Sequence, residues 1–284
     1  MKLKKFLPCL VFLTLSIFLT ACSSSVSDPK VDNWAKFEQQ KTITIGFDNT
    51  FVPMGFELKN GQYAGFDIDL ANAVFAEYGI KVKWQPIDWD MKETELNNGT
   101  IDLIWNGYSA TDERREKVAF TVPYMKNEQV LVSKKAQNIT TPVQMNGKVL
   151  GAQAGSSGYL DFEANPELLK NRVKNKKATQ YSSFNEALID LKNDRIDALL
   201  IDRVYANYYL QEEGILPDYN VFPAGFNSES FAVGARKNDK KLVEHINTAF
   251  RKLYKTEKFQ KISQKWFGTN VATDKIKNKA LCQL

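Results

Sequence analysis

Residues 42–47 form a short apolar run of strand length, and the chain beyond them alternates such runs with stretches of helical period. Asn60-Gly61 marks a turn. Residues 66–78 carry an amphipathic pattern stopped by Gly79, which predicts a helix. Residues 82–87 read as a strand, 91–97 as a short helix and 101–105 as another strand. The chain extends again over 120–124 and 129–133. A second set follows: strand 149–152, helices 159–162 and 184–192, strand 196–201 and helix 204–212. Residues 231–235 give one more strand before a long helix, 240–254, and a shorter one ending at Trp266-Phe267-Gly268. This alternation predicts an α/β protein with mixed, mostly parallel sheets flanked by helices.

Two stretches echo each other. Leu96-Asn-Asn-Gly-Thr-Ile-Asp-Leu103 and Leu191-Lys-Asn-Asp-Arg-Ile-Asp-Ala198 both read as a helix end, a turn and an apolar strand opened by Ile-Asp. Eight residues can coincide by chance. The echo also fits two similarly built lobes, each presenting a strand end to a shared cleft where small ligands bind.

Chemistry concentrates just after residues 101–105. The apolar run breaks at Asn106-Gly107, and Ser109, Thr111 and Asp112 then offer hydroxyls and a helix cap, with Arg114 close behind. Free backbone N–H groups, a hydroxyl and a guanidinium fork suit a small carboxylate. The same residues also describe a capped surface helix with solvated arginines.

The N-terminus reads as a targeting segment. Lys2, Lys4 and Lys5 precede an apolar stretch over 6–19, too short to span a bilayer as a mature helix. Leu19-Thr20-Ala21-Cys22 resembles the bacterial lipoprotein processing site, with Cys22 as the lipidated first residue. An ordinary signal peptide with an incidental cysteine is the alternative. Residues 23–29 read as a polar tether. Acyl chains on Cys22 would hold the exported protein at the outer face of the cytoplasmic membrane, at about 0.8 kcal/mol per buried methylene.

Composition narrows the function classes. Loss of the signal lowers the formal charge from +5 to about +2, and the lysines are scattered, so no nucleic-acid surface is expected. One histidine, His245, and three cysteines, of which Cys9 leaves with the signal and Cys22 takes the lipid, leave only Cys282 in the mature chain. Metal clusters, histidine-based triads, intradomain disulfides and cofactors are therefore not expected. About 240 residues suffice for two lobes of ordinary size.

Together these features resemble the bacterial extracellular solute-binding proteins of family 3, the polar amino-acid receptors of ABC importers. Gly65-Phe66-Asp67-Ile68-Asp69-Leu70-Ala71 looks like the signature opening the first-lobe helix, Thr111-Asp112-Glu113-Arg114 like the carboxylate-binding turn, and Lys265-Trp266-Phe267-Gly268 like the C-terminal helix ending. The resemblance implies a two-lobed periplasmic-binding-protein fold of type II with two crossing hinge strands. Lobe one is expected over 36–125 and 229–268, lobe two over 129–225, and the hinge near 125–128 and 226–230. Residues 1–21 would be the signal, 22–35 the tether and 269–284 a tail.

What the resemblance implies for single residues can be stated by position. Arg114 matches the arginine that pairs with the ligand α-carboxylate, and Asn106, Gly107 and Ser109 the strand-end partners beside it. Ser156 and Ser157, in Gly155-Ser156-Ser157-Gly158, stand where the family places a Gly-Thr-type turn whose N–H groups and hydroxyls meet the same carboxylate. A plain helix cap is the alternative for both. Asp202 matches the acceptor of the α-ammonium; pairing with Arg203 or capping the next helix is the alternative. Asp48, Phe51 and Trp89 match the acid and aromatics around the ligand side chain, where either ring could also be core. Gln153 stands where some glutamine-binding relatives carry lysine, so strict glutamine selectivity is in doubt. The implied protein is a monomeric receptor for a polar amino acid, glutamine-like or basic, with cystine as an alternative. Its partners would be a membrane permease and a cytoplasmic ATPase. A dehydratase-like enzyme on the same scaffold, or an adhesin or sensor lipoprotein, are the competing readings.

Overall fold

A computed structural model describes residues 27–278; the signal, Cys22 and Cys282 lie outside them. Two five-stranded sheets share one topology. In the first, Lys81–Pro86, Thr42–Phe47 and Leu103–Ile104 run parallel, and Gly234–Ala235 and Ala119–Phe120 follow antiparallel. In the second, Ala178–Tyr181, Leu150–Gln153 and Ala198–Asp202 are parallel, and Gln129–Lys134 and Tyr219–Pro223 complete the order. In each sheet the fourth strand arrives from the other lobe. The two crossings, Met125–Asn127 and Glu229–Phe231, pair antiparallel as a hinge ribbon.

The sequence echo has a structural basis. Gly99 and Asp194 both end their helices in the left-handed region, at φ 76° and 58°. Asp102 Oδ2 then accepts the Thr44 N–H at 3.0 Å, and Asp197 Oδ2 accepts the Val149 N–H at 2.7 Å. Ile101 and Ile196 each pack where the neighbouring strand carries a glycine: a Cβ on Gly46 or Gly151 would fall 2.4 or 2.5 Å from their Cδ1 atoms. Each lobe therefore uses one aspartate to open its central strand pair and one glycine to admit an isoleucine.

Three expectations change. The strand predicted over 231–235 is two: Glu229–Phe231 belongs to the hinge and Gly234–Ala235 to the first sheet. Apolar continuity cannot show that a chain changes partners. The expected tether is docked from Ser27 onward, where the Ser27 hydroxyl donates to Asp102 at 2.6 Å and Asn33 donates to Asp239 at 2.8 Å. These acids also pair with the buried Arg236, a charge cluster assembled from residues too far apart to read together. The expected tail is likewise packed as far as Asp274–Lys277, with Ala272 and Ile276 buried and the Thr273 N–H on the Tyr124 carbonyl.

Candidate functional site

The C-terminal ends of the parallel strands in both sheets face the same cleft, as expected for open α/β sheets. After Leu103–Ile104 the chain turns at Gly107, whose φ of +55° would strain other residues. A Cβ there would also meet the Phe51 ring at 2.7 Å. The Gly107 N–H donates to Asp67 Oδ2 at 2.7 Å, and the Tyr124 hydroxyl donates to the same oxygen at 2.8 Å. Complete burial pushes the Asp67 carboxyl up to about 7. Asp67, from the signature stretch, fixes the strand tip.

Thr111 caps Asp112–Lys117 by accepting the Arg114 N–H. Arg114 therefore sits in the first helical turn, and helical side chains lean back toward the N-terminus, here into the cleft. Arg114 is 1% exposed. Nη1 donates to the Ser109 carbonyl at 3.0 Å and Nη2 crosses to the Gly155 carbonyl at 2.9 Å. The group lies 4.6 Å from the Tyr108 ring centroid, and Nε stands 3.9 Å from Glu93 Oε1. Lys92 grips the same Gly155 carbonyl at 3.0 Å and lies 3.3 Å from Glu93. Burial, then the Arg114 charge, lowers the Lys92 ammonium to about 8.

In lobe two the serines divide their work. Ser156 accepts the Tyr159 N–H and caps Ser157–Ala164, so its hydroxyl is spent on the helix. Ser157 faces the cleft, its hydroxyl 3.2 Å from Ser109 Oγ and 3.1 Å from Glu229 Oε2. Asp202 ends a fully buried strand. Its Oδ1 accepts from the amides of Asn127 at 2.5 Å and Gln129 at 2.8 Å. Burial, then the Glu229 charge, raises it to about 7.

At the far end, Asp48 Oδ1 accepts from the Thr50 N–H and hydroxyl, while Oδ2 takes the Gln153 amide across the cleft at 2.8 Å. Burial raises this carboxyl too. Phe51 packs between lobes, 5.9 Å from Phe184 and 5.3 Å from Tyr205 between centroids. Trp89 packs edge-on to Tyr108 and lines a 320 Å³ opening shared with Ala154 and Ser182. Asn106 turns its carbonyl to the Asp48 N–H at 3.1 Å, which makes it a brace for the acid. A separate groove of 870 Å³ runs beside the hinge between Arg203 and Trp266; of the site residues named above it is lined only by Asn127.

Of the eleven expected site residues, Arg114, Ser109, Ser157, Asp202, Asp48, Gln153, Phe51 and Trp89 meet at the face between the lobes, whereas Ser156 and Asn106 hold backbone and Gly107 spends its N–H on Asp67. Sequence reading missed Lys92, Glu93, Asn127, Gln129 and Glu229. Of these, Asn127 and Glu229 lie on the hinge strands, where no local pattern marks an inward-pointing side chain.

The scaffold and the residues that meet between its sheets define a two-lobed binding protein. The chain belongs to the bacterial extracellular solute-binding proteins, family 3, whose family model matches residues 43–269. It is 73% identical, at a TM-score of 0.85, to an ABC uptake transporter substrate-binding protein from Streptococcus pneumoniae solved with bound histidine, over 85% of this chain and 98% of that one. A polar amino-acid ABC uptake transporter substrate-binding protein from Streptococcus thermophilus is 63% identical at a TM-score of 0.59, over 90% of this chain and 97% of that one. The probable histidine-binding protein of Campylobacter jejuni is 31% identical over 86% of this chain and 91% of its own length.

Proposed function

We propose that this protein is the extracytoplasmic receptor of an ABC importer, capturing a polar amino acid between its lobes, with histidine the first candidate. One observation carries the reading: Arg114 and Asp202, from different lobes, meet in one buried network through Ser109, Ser157 and Gln129. A guanidinium and a carboxylate so placed match the two ends of an amino acid. Asp48, with Phe51 and Trp89 nearby, suits a side chain that donates a hydrogen bond or carries positive charge. The histidine-bound relative supports that preference.

The lobes hinge at the ribbon. The drop in TM-score to 0.59 at 63% identity fits lobes that keep their folds and change their disposition. Closure would form the surface that the permease reads. Cys22 lies outside the described residues, and its lipidation belongs to the same proposal; C22A should release the protein from the membrane.

A thermal-shift and calorimetry screen over all amino acids tests the reading. A ligand at a hundred times its dissociation constant adds about 2.7 kcal/mol of stability. Histidine or another polar amino acid should bind at micromolar strength, about −8 kcal/mol. Failure of every amino acid to bind would overturn the proposal.

A further inference from the structure

Asp202 does not stand alone at the amine end of the cleft. Glu229, on the second hinge strand, reaches the same spot. Its Oε2 accepts from the Ser109 hydroxyl at 2.8 Å, the Gln129 amide at 3.0 Å and the Ser157 hydroxyl at 3.1 Å. Its Oε1 is buried without a partner. The Gln129 amide nitrogen also touches Asp202, so one neutral donor holds the two carboxylates side by side.

The groups facing this pair are one cation, Arg114, and one further acid, Asp161. Arg114 spends its terminal nitrogens on the Ser109 and Gly155 carbonyls. The other contacts, Asn127, Gln129, Ser109 and Ser157, are uncharged. With no countercharge of its own, the buried Asp202 carboxylate is costly to ionise, first through burial and then through the Glu229 charge beside it. Among the described residues no group of acids, histidines and cysteines is disposed to hold a metal ion. The site calls for a compact organic cation.

We propose that Glu229 is a specificity-determining ligand contact: with Asp202 it makes the amine end a two-carboxylate cup that requires a ligand ammonium. This rests on the amino-acid receptor reading. When the ammonium enters it replaces the proton that burial and the Glu229 charge favour on Asp202, and that proton leaves to solvent. The Glu229 oxygen without a partner becomes a further acceptor for the ammonium beside Asp202, whose two amide donors both fall on Oδ1.

The test is titration calorimetry of the full mature chain with L-histidine and with imidazolepropionate, its analogue lacking the amine. Buffers of different ionisation enthalpy report proton release. Wild type should strongly prefer histidine. Glu229→Gln keeps the shape and removes the charge; it should reduce that preference by roughly tenfold or more, the loss of one charge-assisted bond. It should also lower the proton count relative to wild type with the same ligand. If Glu229 only ties the lobes together, both ligands weaken equally and the ratio is unchanged, which overturns the proposal. Glu229→Leu is read in the same way should the glutamine variant not fold. If wild type binds no amino acid, the receptor reading itself fails; if wild type discriminates and E229Q does so equally, only the role of Glu229 falls.

Discussion

Removing the Arg114 guanidinium separates binding from folding. In the ligand-free chain it donates to the Ser109 carbonyl in one lobe and the Gly155 carbonyl in the other. Gly155 keeps Lys92 as a donor, and Glu93 keeps Lys92 and the Tyr108 hydroxyl. Arg114→Ala therefore strands chiefly the Ser109 carbonyl and opens a side-chain-sized gap that water can enter. A buried acceptor left unpaired costs about 1–3 kcal/mol, so the fold should survive. Binding loses more. A ligand carboxylate replaces a neutral carbonyl with a charge-assisted, bidentate partner, and each such bond contributes about 1.5–3 kcal/mol. Even allowing for the carbonyl contacts given up, a net loss near 3 kcal/mol is expected, which is a hundredfold or more in affinity. Arg114→Lys should recover part of this, because it restores charge but not the fork. Calorimetry with the best-binding amino acid, alongside thermal unfolding, measures both effects. Affinity within threefold of wild type in a folded R114A would refute the assignment of Arg114 to the carboxylate.

The two serines make an internal comparison. Ser156→Ala should cost about 1 kcal/mol of stability through the lost cap, with affinity nearly unchanged. Ser157→Ala should leave stability almost intact and weaken binding several-fold; equal affinity losses would show that neither assignment is right. Asp67→Ala strands the Gly107 N–H and Tyr124 hydroxyl, each buried donor costing about 1–3 kcal/mol, so denaturant unfolding should show a large loss. For pH, Asp67 and Asp202 both titrate near 7 in the fold, above the 3.8 of an ordinary aspartate. Their contribution to stability is complete below that lower value and is lost as pH rises through about 7. The ligand-free melting temperature should accordingly fall between pH 5 and 7.5, while an ammonium ligand should stabilise more at the upper end. A ligand-free melting temperature that climbs across this range would contradict the buried, uncompensated state of these acids.

Local patterning was enough to place most strands and helices, because one-sided burial imposes its period on any segment that packs. Motifs with a local mechanism were also legible. Thr111 caps a helix whose first turn carries Arg114, and Ile101-Asp102 and Ile196-Asp197 each open a strand. The lobe echo survives because both sheets solve the same local problem with a glycine, an isoleucine and an aspartate.

What tertiary structure decided was the partnership between segments distant in the chain. Asp202 and Glu229 are separated by a helix and a strand, and only the hinge crossing puts their carboxylates on one Gln129 amide. Lys92 reads as a surface helix residue until the closed cleft buries its ammonium on the Gly155 carbonyl. Ser27 and Asn33 read as tether until Asp102, Asp239 and Arg236 assemble beneath them. Side-chain period reports which face of an element is buried. It carries no information about which distant face will cover it, and electrostatic environment depends on that cover.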